Sequence, residues 1–166
     1  MQRGWCLAAL GHADDGITLL TSGLAGLVDS GFNTQLFRIL LSDACRIAGK
    51  WHAALGHLAE AQRLAEEKKD RWFLAETLRL RGDVVLTMGD GAGAETSYEE
   101  AIAIARQQGA KFCELRAATS LARLWRDRGK RMRAYDLLAP LYGWFSEGFD
   151  TPVLKEAKAL LDKLGA

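Results

Sequence analysis

Gly82-Asp83-Val84-Val85-Leu86-Thr87-Met88-Gly89-Asp90-Gly91-Ala92-Gly93-Ala94-Glu95-Thr96-Ser97-Tyr98-Glu99-Glu100-Ala101 is the stretch that decides how this chain folds. Around it, Leu74, Leu78, Val85 and Met88 recur at helical spacing until Gly89-Asp90-Gly91 interrupts. Ala94, Tyr98, Ala101, Ile104 and Ala105 then resume the helical period as far as Gly109. So short a connection forces the two helices antiparallel. The small side chain at Ala94 lets them approach, and larger residues beyond it fill the space that opens. Glycine ends the first helix because the left-handed conformation costs it little.

Working outward, the same pattern returns every forty residues. Gly49, Gly89 and Gly129 keep this stride, as do Ala54, Ala94 and Ala134, then Leu58, Tyr98 and Leu138, then Ala61, Ala101 and Leu141. Phe32, Trp72 and Phe112 mark the start of each unit. The expected organisation is one domain over 1–166: a partial repeat at 1–31, full repeats at 32–71, 72–111 and 112–150, and a capping helix at 151–166. Helices are expected at 2–10, 14–29, 33–48, 52–68, 72–88, 93–108, 112–128, 131–147 and 152–164, with the loosest turn between Gly89 and Gly93. Thr151-Pro152 reads as an N-cap followed by a first-turn proline. Val153, Leu154, Ala157, Leu160, Leu161 and Leu164 form the apolar face of a closing helix.

Composition agrees with a helical, water-exposed array. Of 166 residues, 49% are apolar and 26% charged, and only two are proline. The formal net charge of +1 selects neither nucleic acid nor an anionic membrane. Cys6, Cys45 and Cys113 are far apart and odd in number, so buried reduced thiols are expected rather than a disulfide framework. No signal-peptide pattern opens the chain and no apolar run is long enough to span a bilayer, which makes cytoplasmic residence the expectation.

The spacing resembles that of tetratricopeptide repeats. Gly82, Ala94, Tyr98 and Ala101 match that pattern, as do Ser42, Ala54, Leu58 and Ala61, and then Ala122, Ala134, Leu138 and Leu141, where Leu141 departs from the usual small residue. The family's period is 34 and this one is 40, so each helix should be longer by almost a turn. The resemblance implies a right-handed superhelical solenoid of antiparallel helix hairpins, all-α, with a concave groove that receives a polypeptide. Arg3-Gly4-Trp5, the run Leu115 to Trp125, the run Leu138 to Phe145 and Glu147-Gly148-Phe149-Asp150-Thr151 are also similar to the C-terminal repeat region of large bacterial adenylate cyclase and ATPase-type signalling proteins. This similarity implies a regulatory or scaffolding module at the end of a longer architecture. It implies no cyclase or ATPase activity, because the catalytic motifs are missing. Such proteins often carry extra residues near the 89–93 turn, where this chain is compact.

Within the implied groove, Glu76, Arg79 and Asp83 share one face of a helix, and Arg116, Thr119, Arg123 and Arg126 share the equivalent face of the next. The stride sets Glu76 beside Arg116 and Asp83 beside Arg123. The preceding helix presents Leu36, Ile39, Asp43 and Arg46 there. One reading is a lateral ladder of ion pairs. The other is a polar groove in which the arginines clamp a peptide carboxylate or acidic side chain. A third reading, from a different class, is a small-molecule or nucleotide sensor using Arg79, Arg116 and Arg123.

Other clusters are weaker. Lys111, Arg116, Arg123, Arg126, Arg128, Lys130, Arg131 and Arg133 concentrate positive charge against Glu114 and Asp127, but over two helices and with no exposed aromatic residues interleaved, which argues against nucleic acid. His52 and His57 point about 140° apart on one helix, which disfavours a shared metal. Gly89-Asp90-Gly91-Ala92-Gly93 lacks the Gly-Lys-Ser/Thr ending of a phosphate loop. With no nucleophile, base or metal set, and no cofactor motif, the expectation is a non-enzyme. Tyr142, Trp144, Phe145 and Phe149 are expected to plug the last hairpin against the cap, with Pro140 bending its helix. The N-terminal remnant around Trp5, Leu7 and Leu10 cannot cover its neighbour, which predicts a homodimer through that edge or docking onto an upstream domain.

Overall fold

The computed structural model describes residues 2–27 and 34–165. Within them lie nine helices and no strand: α1 Gln2–Ala9, α2 Ala13–Ala25, α3 Gln35–Ile47, α4 Trp51–Glu67, α5 Leu74–Thr87, α6 Gly91–Gln107, α7 Lys111–Asp127, α8 Arg131–Tyr142 and α9 Pro152–Gly165. They pair as hairpins α1–α2, α3–α4, α5–α6 and α7–α8, and α9 closes against α7 and α8. Phe32 and the 31/32 unit boundary lie outside the described residues.

The turn within each hairpin is built one way. Gly49, Gly89 and Gly129 all have positive φ, and the next N–H reaches back to a carbonyl five residues earlier: Lys50 to Cys45 at 2.8 Å, Asp90 to Val85 at 3.0 Å, Lys130 to Trp125 at 2.8 Å. That bond satisfies an orphan carbonyl at the helix end and reverses the chain within two residues. The close approach beyond the turn is clearest at Gly82, where an added methyl would run into the Tyr98 ring. The equivalent pairs are Ser42 with Leu58 and Ala122 with Leu138, so the smallest residue faces the largest. The first hairpin repeats this register at an offset of thirty-eight: Gly4, Gly11, Gly16 and Leu20 stand where Ser42, Gly49, Ala54 and Leu58 stand next.

Several expected boundaries move. The 89–93 turn is tight, not loose. Asp90 Oδ1 accepts the Gly93 N–H at 2.8 Å, and α6 already begins at Gly91, against which the Arg128 guanidinium packs. α8 stops at Tyr142 rather than 147, with Pro140 inside it and Gly143 at its end. α5 starts at Leu74 rather than 72. Trp72 and Phe112 are largely exposed, so these aromatic markers of the stride are surface residues and not core. Cys45 is buried and Cys113 half-buried, but Cys6 is exposed, contrary to the expectation of three buried thiols. Tyr142 and Phe145 pack on the core beside α9, whereas Trp144 and Phe149 are largely exposed, so only half of that aromatic cluster acts as a plug.

Successive first helices touch each other, α1 to α3, α3 to α5, α5 to α7 and α7 to α9, while successive second helices make no comparable contact. The layer of first helices is therefore the tighter one, and the array curves with that layer inside. The core is shared along it. Leu74 and Leu78 of α5 belong with Tyr98, Leu115 and Leu138, while Leu80 and Val84 of the same helix join Ile39, Cys45 and Leu58 behind it. No helix among the described residues is long and apolar enough to cross a membrane.

Candidate functional site

The inner layer encloses a cavity of about 440 Å³. α3 contributes Asp43 and Arg46, α5 contributes Arg79, Asp83, Leu86 and Thr87, α7 contributes Arg116, Thr119, Ser120 and Arg123, and α9 closes one end with Val153 and Glu156. Four arginines thus point into one space because residues three, four and seven apart share a helix face, and the stride lays those faces side by side.

Their partners differ. Arg79 is deeply set: its Nε and Nη2 donate to Glu76 at 3.0 and 2.8 Å, and Nη1 donates to Asp83 at 2.6 Å. Burial alone would lower its pKa, but Glu76 and Asp83 more than reverse this, and the guanidinium stays charged. Asp83 also accepts the Tyr98 hydroxyl at 2.8 Å, and burial together with that carboxylate pushes the phenol's pKa up. Arg46 donates through Nε and Nη2 to a single oxygen, Oδ1 of Asp43, at 2.9 and 2.7 Å. Arg116 meets Glu76 at 3.1 Å, which is the lateral rung expected from the stride. The second expected rung, Asp83 with Arg123, is not formed. Asp83 is already held by Arg79 and Tyr98, and Arg123 turns instead to Glu156 of α9. Arg116 and Arg123 remain part-exposed, each with a single carboxylate partner among the described residues.

The candidate residues therefore divide. Asp43, Arg46, Arg79, Asp83, Arg116, Thr119 and Arg123 line the cavity, and Glu76 stands at its edge in ion pairs. Ile39 does not reach it; at 4% exposure it is packed with Leu80 and Val84 in the core. Leu36 is half-buried away from the lining, and Arg126 pairs with its neighbour Asp127 at 2.7 Å. Glu156 and Val153 were missed because the cap departs from the stride. Trp5 was missed as well. Its indole N–H donates to Asp43 at 2.8 Å, so it holds the far end of the same face. Its offset of thirty-eight from Asp43 was the available signal.

The basic concentration is largely spent on internal partners. Arg106 and Lys111 converge on Glu114 at 2.7 and 2.8 Å, and Arg128 binds Glu95 at 2.6 Å. Arg131 donates to the Lys163 carbonyl at 2.6 Å, and Arg133 lies 3.9 Å from the centre of the Trp125 ring. The Trp125 N–H, against the opposing effect of burial and with Lys130, Arg128 and Arg133 assisting, holds the Glu95 carboxyl below its usual range. His57 is half-buried, and burial, then Arg38, lowers its pKa. No group of three or more potential metal ligands gathers among the described residues.

No protein-family model matches the chain, and no characterised protein matches its sequence. Similarity is found at the level of structure. A protein of Podosopora anserina assigned as a kinesin light chain, with nearly identical TPR-like repeats, superposes with a TM-score of 0.71 at 14% identity, covering 98% of this chain and 82% of that one. A single-substitution variant of it gives a TM-score of 0.72 with the same identity and coverage. At that identity the likeness establishes the fold alone, and the fold is an all-α, TPR-like helical repeat solenoid.

Proposed function

We propose that this chain is a protein-interaction module that holds an acidic segment of a polypeptide in its concave cavity. TPR-like repeats generally mediate protein–protein contact and are typically non-catalytic scaffolds, an argument from fold. The observation that carries the reading to a site is the pair Arg116 and Arg123. Each is part-exposed, each faces the cavity, and each is tied to one carboxylate that an incoming carboxylate can replace. The setting we propose is cytoplasmic, as the regulatory or scaffolding part of a bacterial signalling protein; the runs from Leu115 to Trp125 and from Leu138 to Phe145 support it.

The test is selection of binders from a displayed peptide library, followed by titration of labelled peptides. Acidic peptides should be enriched, and Arg116→Glu with Arg123→Glu should weaken them at least ten-fold with the melting curve preserved. Undiminished affinity in that variant would move the site to the convex face. A second reading, a small anionic ligand, draws on the cavity volume of about 440 Å³, within the range of small-molecule sites. A thermal-shift panel of nucleotides addresses it, since a tight ligand of the native state raises the melting point. Self-association is proposed at the N-terminal edge, where Leu10 and Leu19 are exposed. Light scattering over a concentration series should show a dimer, and a strict monomer at high concentration removes it.

A further inference from the structure

The stride predicts that α5 should begin at residue 71, as α7 begins at Lys111, but it begins three residues later. Lys69 takes a left-handed φ of 52°, the Leu74 N–H returns to the Arg71 carbonyl at 3.0 Å, and Asp70 accepts the Trp72 N–H at 3.3 Å. Gln108 holds this loop from the next unit by donating to the Arg71 carbonyl at 2.5 Å. The missing helical turn leaves a cavity of about 730 Å³ between the starts of α5 and α7, with Trp72, Phe73, Ala110 and Cys113 forming its apolar wall. Trp72 is 83% exposed, a large aromatic surface left in water. Lys69 and Arg71 stand at the rim and form no ion pair among the described residues.

This second cavity is not remote from the first. Glu76 lines it, and Glu76 is the carboxylate that pairs with Arg79 and Arg116 of the concave cavity. The two spaces lie on either side of one cluster of ion pairs. We infer that the apolar cavity is the specificity subsite of the groove, taking a bulky apolar side chain of the same polypeptide whose carboxylate meets Arg116 or Arg123. The inference rests on the peptide-binding reading above. An apolar anchor in a pocket beside arginines is the arrangement that concentrates binding energy, and the free Lys69 and Arg71 favour an acidic flank. Helix rise sets the spacing. Arg116 lies about 4.5 Å along α7 from Cys113, and Arg123 about 15 Å. At about 3.3 Å per extended residue, the carboxylate falls between one and about four or five residues from the apolar side chain.

Peptides selected from a displayed library on the full chain test this. They should carry Trp, Phe, Leu or Met at that distance from Asp or Glu. Trp72→Ala should weaken them at least ten-fold, and replacing the peptide's apolar residue by Ala should do the same, with no further loss when both changes are combined. Because Trp72 is exposed, its truncation should leave the melting curve unchanged, which separates lost contact from lost fold. Peptides that depend on Arg116 and Arg123 but ignore Trp72 would overturn the subsite and leave the groove standing. Peptides that need Trp72 but ignore both arginines would make the cavity a separate site and overturn the coupling. A peptide-free dimer abolished by Trp72→Ala would assign the cavity to a second copy, again against the inference. Failure to select any peptide would overturn the groove reading and this one together.

Discussion

Gly82 and Tyr98 carry the packing logic of the array in two side chains. The ring occupies the volume that a methyl at position 82 would need, and its hydroxyl binds Asp83. Gly82→Ala should gain about 1 kcal/mol of helix propensity but lose more through overpacking, for a net loss of about 1–2 kcal/mol. In the Tyr98→Leu background the ring is gone and the local pair becomes Ala–Leu, as at Ala122 and Leu138. There Gly82→Ala should be neutral or stabilising. Denaturant unfolding of the four proteins measures that coupling, and strict additivity would contradict the contact. Ser42 occupies the same position one unit earlier. It is fully buried and its hydroxyl has no hydrogen-bond partner among the described residues. Ser42→Ala should therefore raise stability by about 1 kcal/mol in the same assay.

At the scale of the element, the turn from α6 to α7 is fastened by charge rather than by apolar contact alone. The Glu114 side chain is 2% exposed and receives Arg106 across the turn and Lys111 from its own helix. Burial raises its pKa, but those two cations overcome the effect and hold the carboxyl below the usual glutamate value. A depressed carboxyl contributes stability above its unfolded pKa of about 4.3, and that contribution fades as pH falls through the lower folded value. Acid should thus weaken this turn from roughly pH 4.3 downward. Glu114→Gln should cost about 1–3 kcal/mol at neutral pH and flatten stability against pH in that window, read from denaturant midpoints at several pH values. An unchanged acid slope would place the sensitivity elsewhere, Glu60 and Glu95 being other carboxyls held low by their partners.

For the whole molecule, the uneven core sets where it opens. The stretch from α5 to α9 shares one large cluster that includes Tyr98, Leu115, Leu121, Trp125 and Leu138, while α1 to α3 bury a smaller set around Leu20, Phe37 and Leu41. The first hairpin also carries Gly16 and Gly23 inside its second helix, where later units have Ala54 and Ala61, Ala94 and Ala101, or Ala134 and Leu141. In a quasi-linear array stability is a sum of unit and interface contributions, so the weakest end opens first. Amide exchange in α1 and α2 should run at least a hundred-fold faster than in α6 and α7, and uniform exchange would mean the array opens as one unit.

The forty-residue stride was legible because each unit makes the same contacts within itself and with the next, and those contacts demand the same residue sizes at the same intervals. The hairpins, their glycine turns, the closing helix and most of the cavity arginines follow from that alone. Trp5 and Glu156 escaped, since the first hairpin and α9 keep other offsets, and Ile39 was misplaced because helix-face periodicity cannot separate the edge of a groove from the rim of a core. The sequence by itself determined an antiparallel helical array with arginines aligned along its inner layer. Only tertiary structure decided which carboxylate each arginine takes, and that α5 starts late and leaves a cavity beside Trp72. The physical reason is range. Periodicity encodes local backbone form and side-chain size, whereas the choice between Asp83 and Glu156 for Arg123 turns on competition among exposed ion pairs worth about 1 kcal/mol or less, which is settled by distances that exist only once the helices have packed.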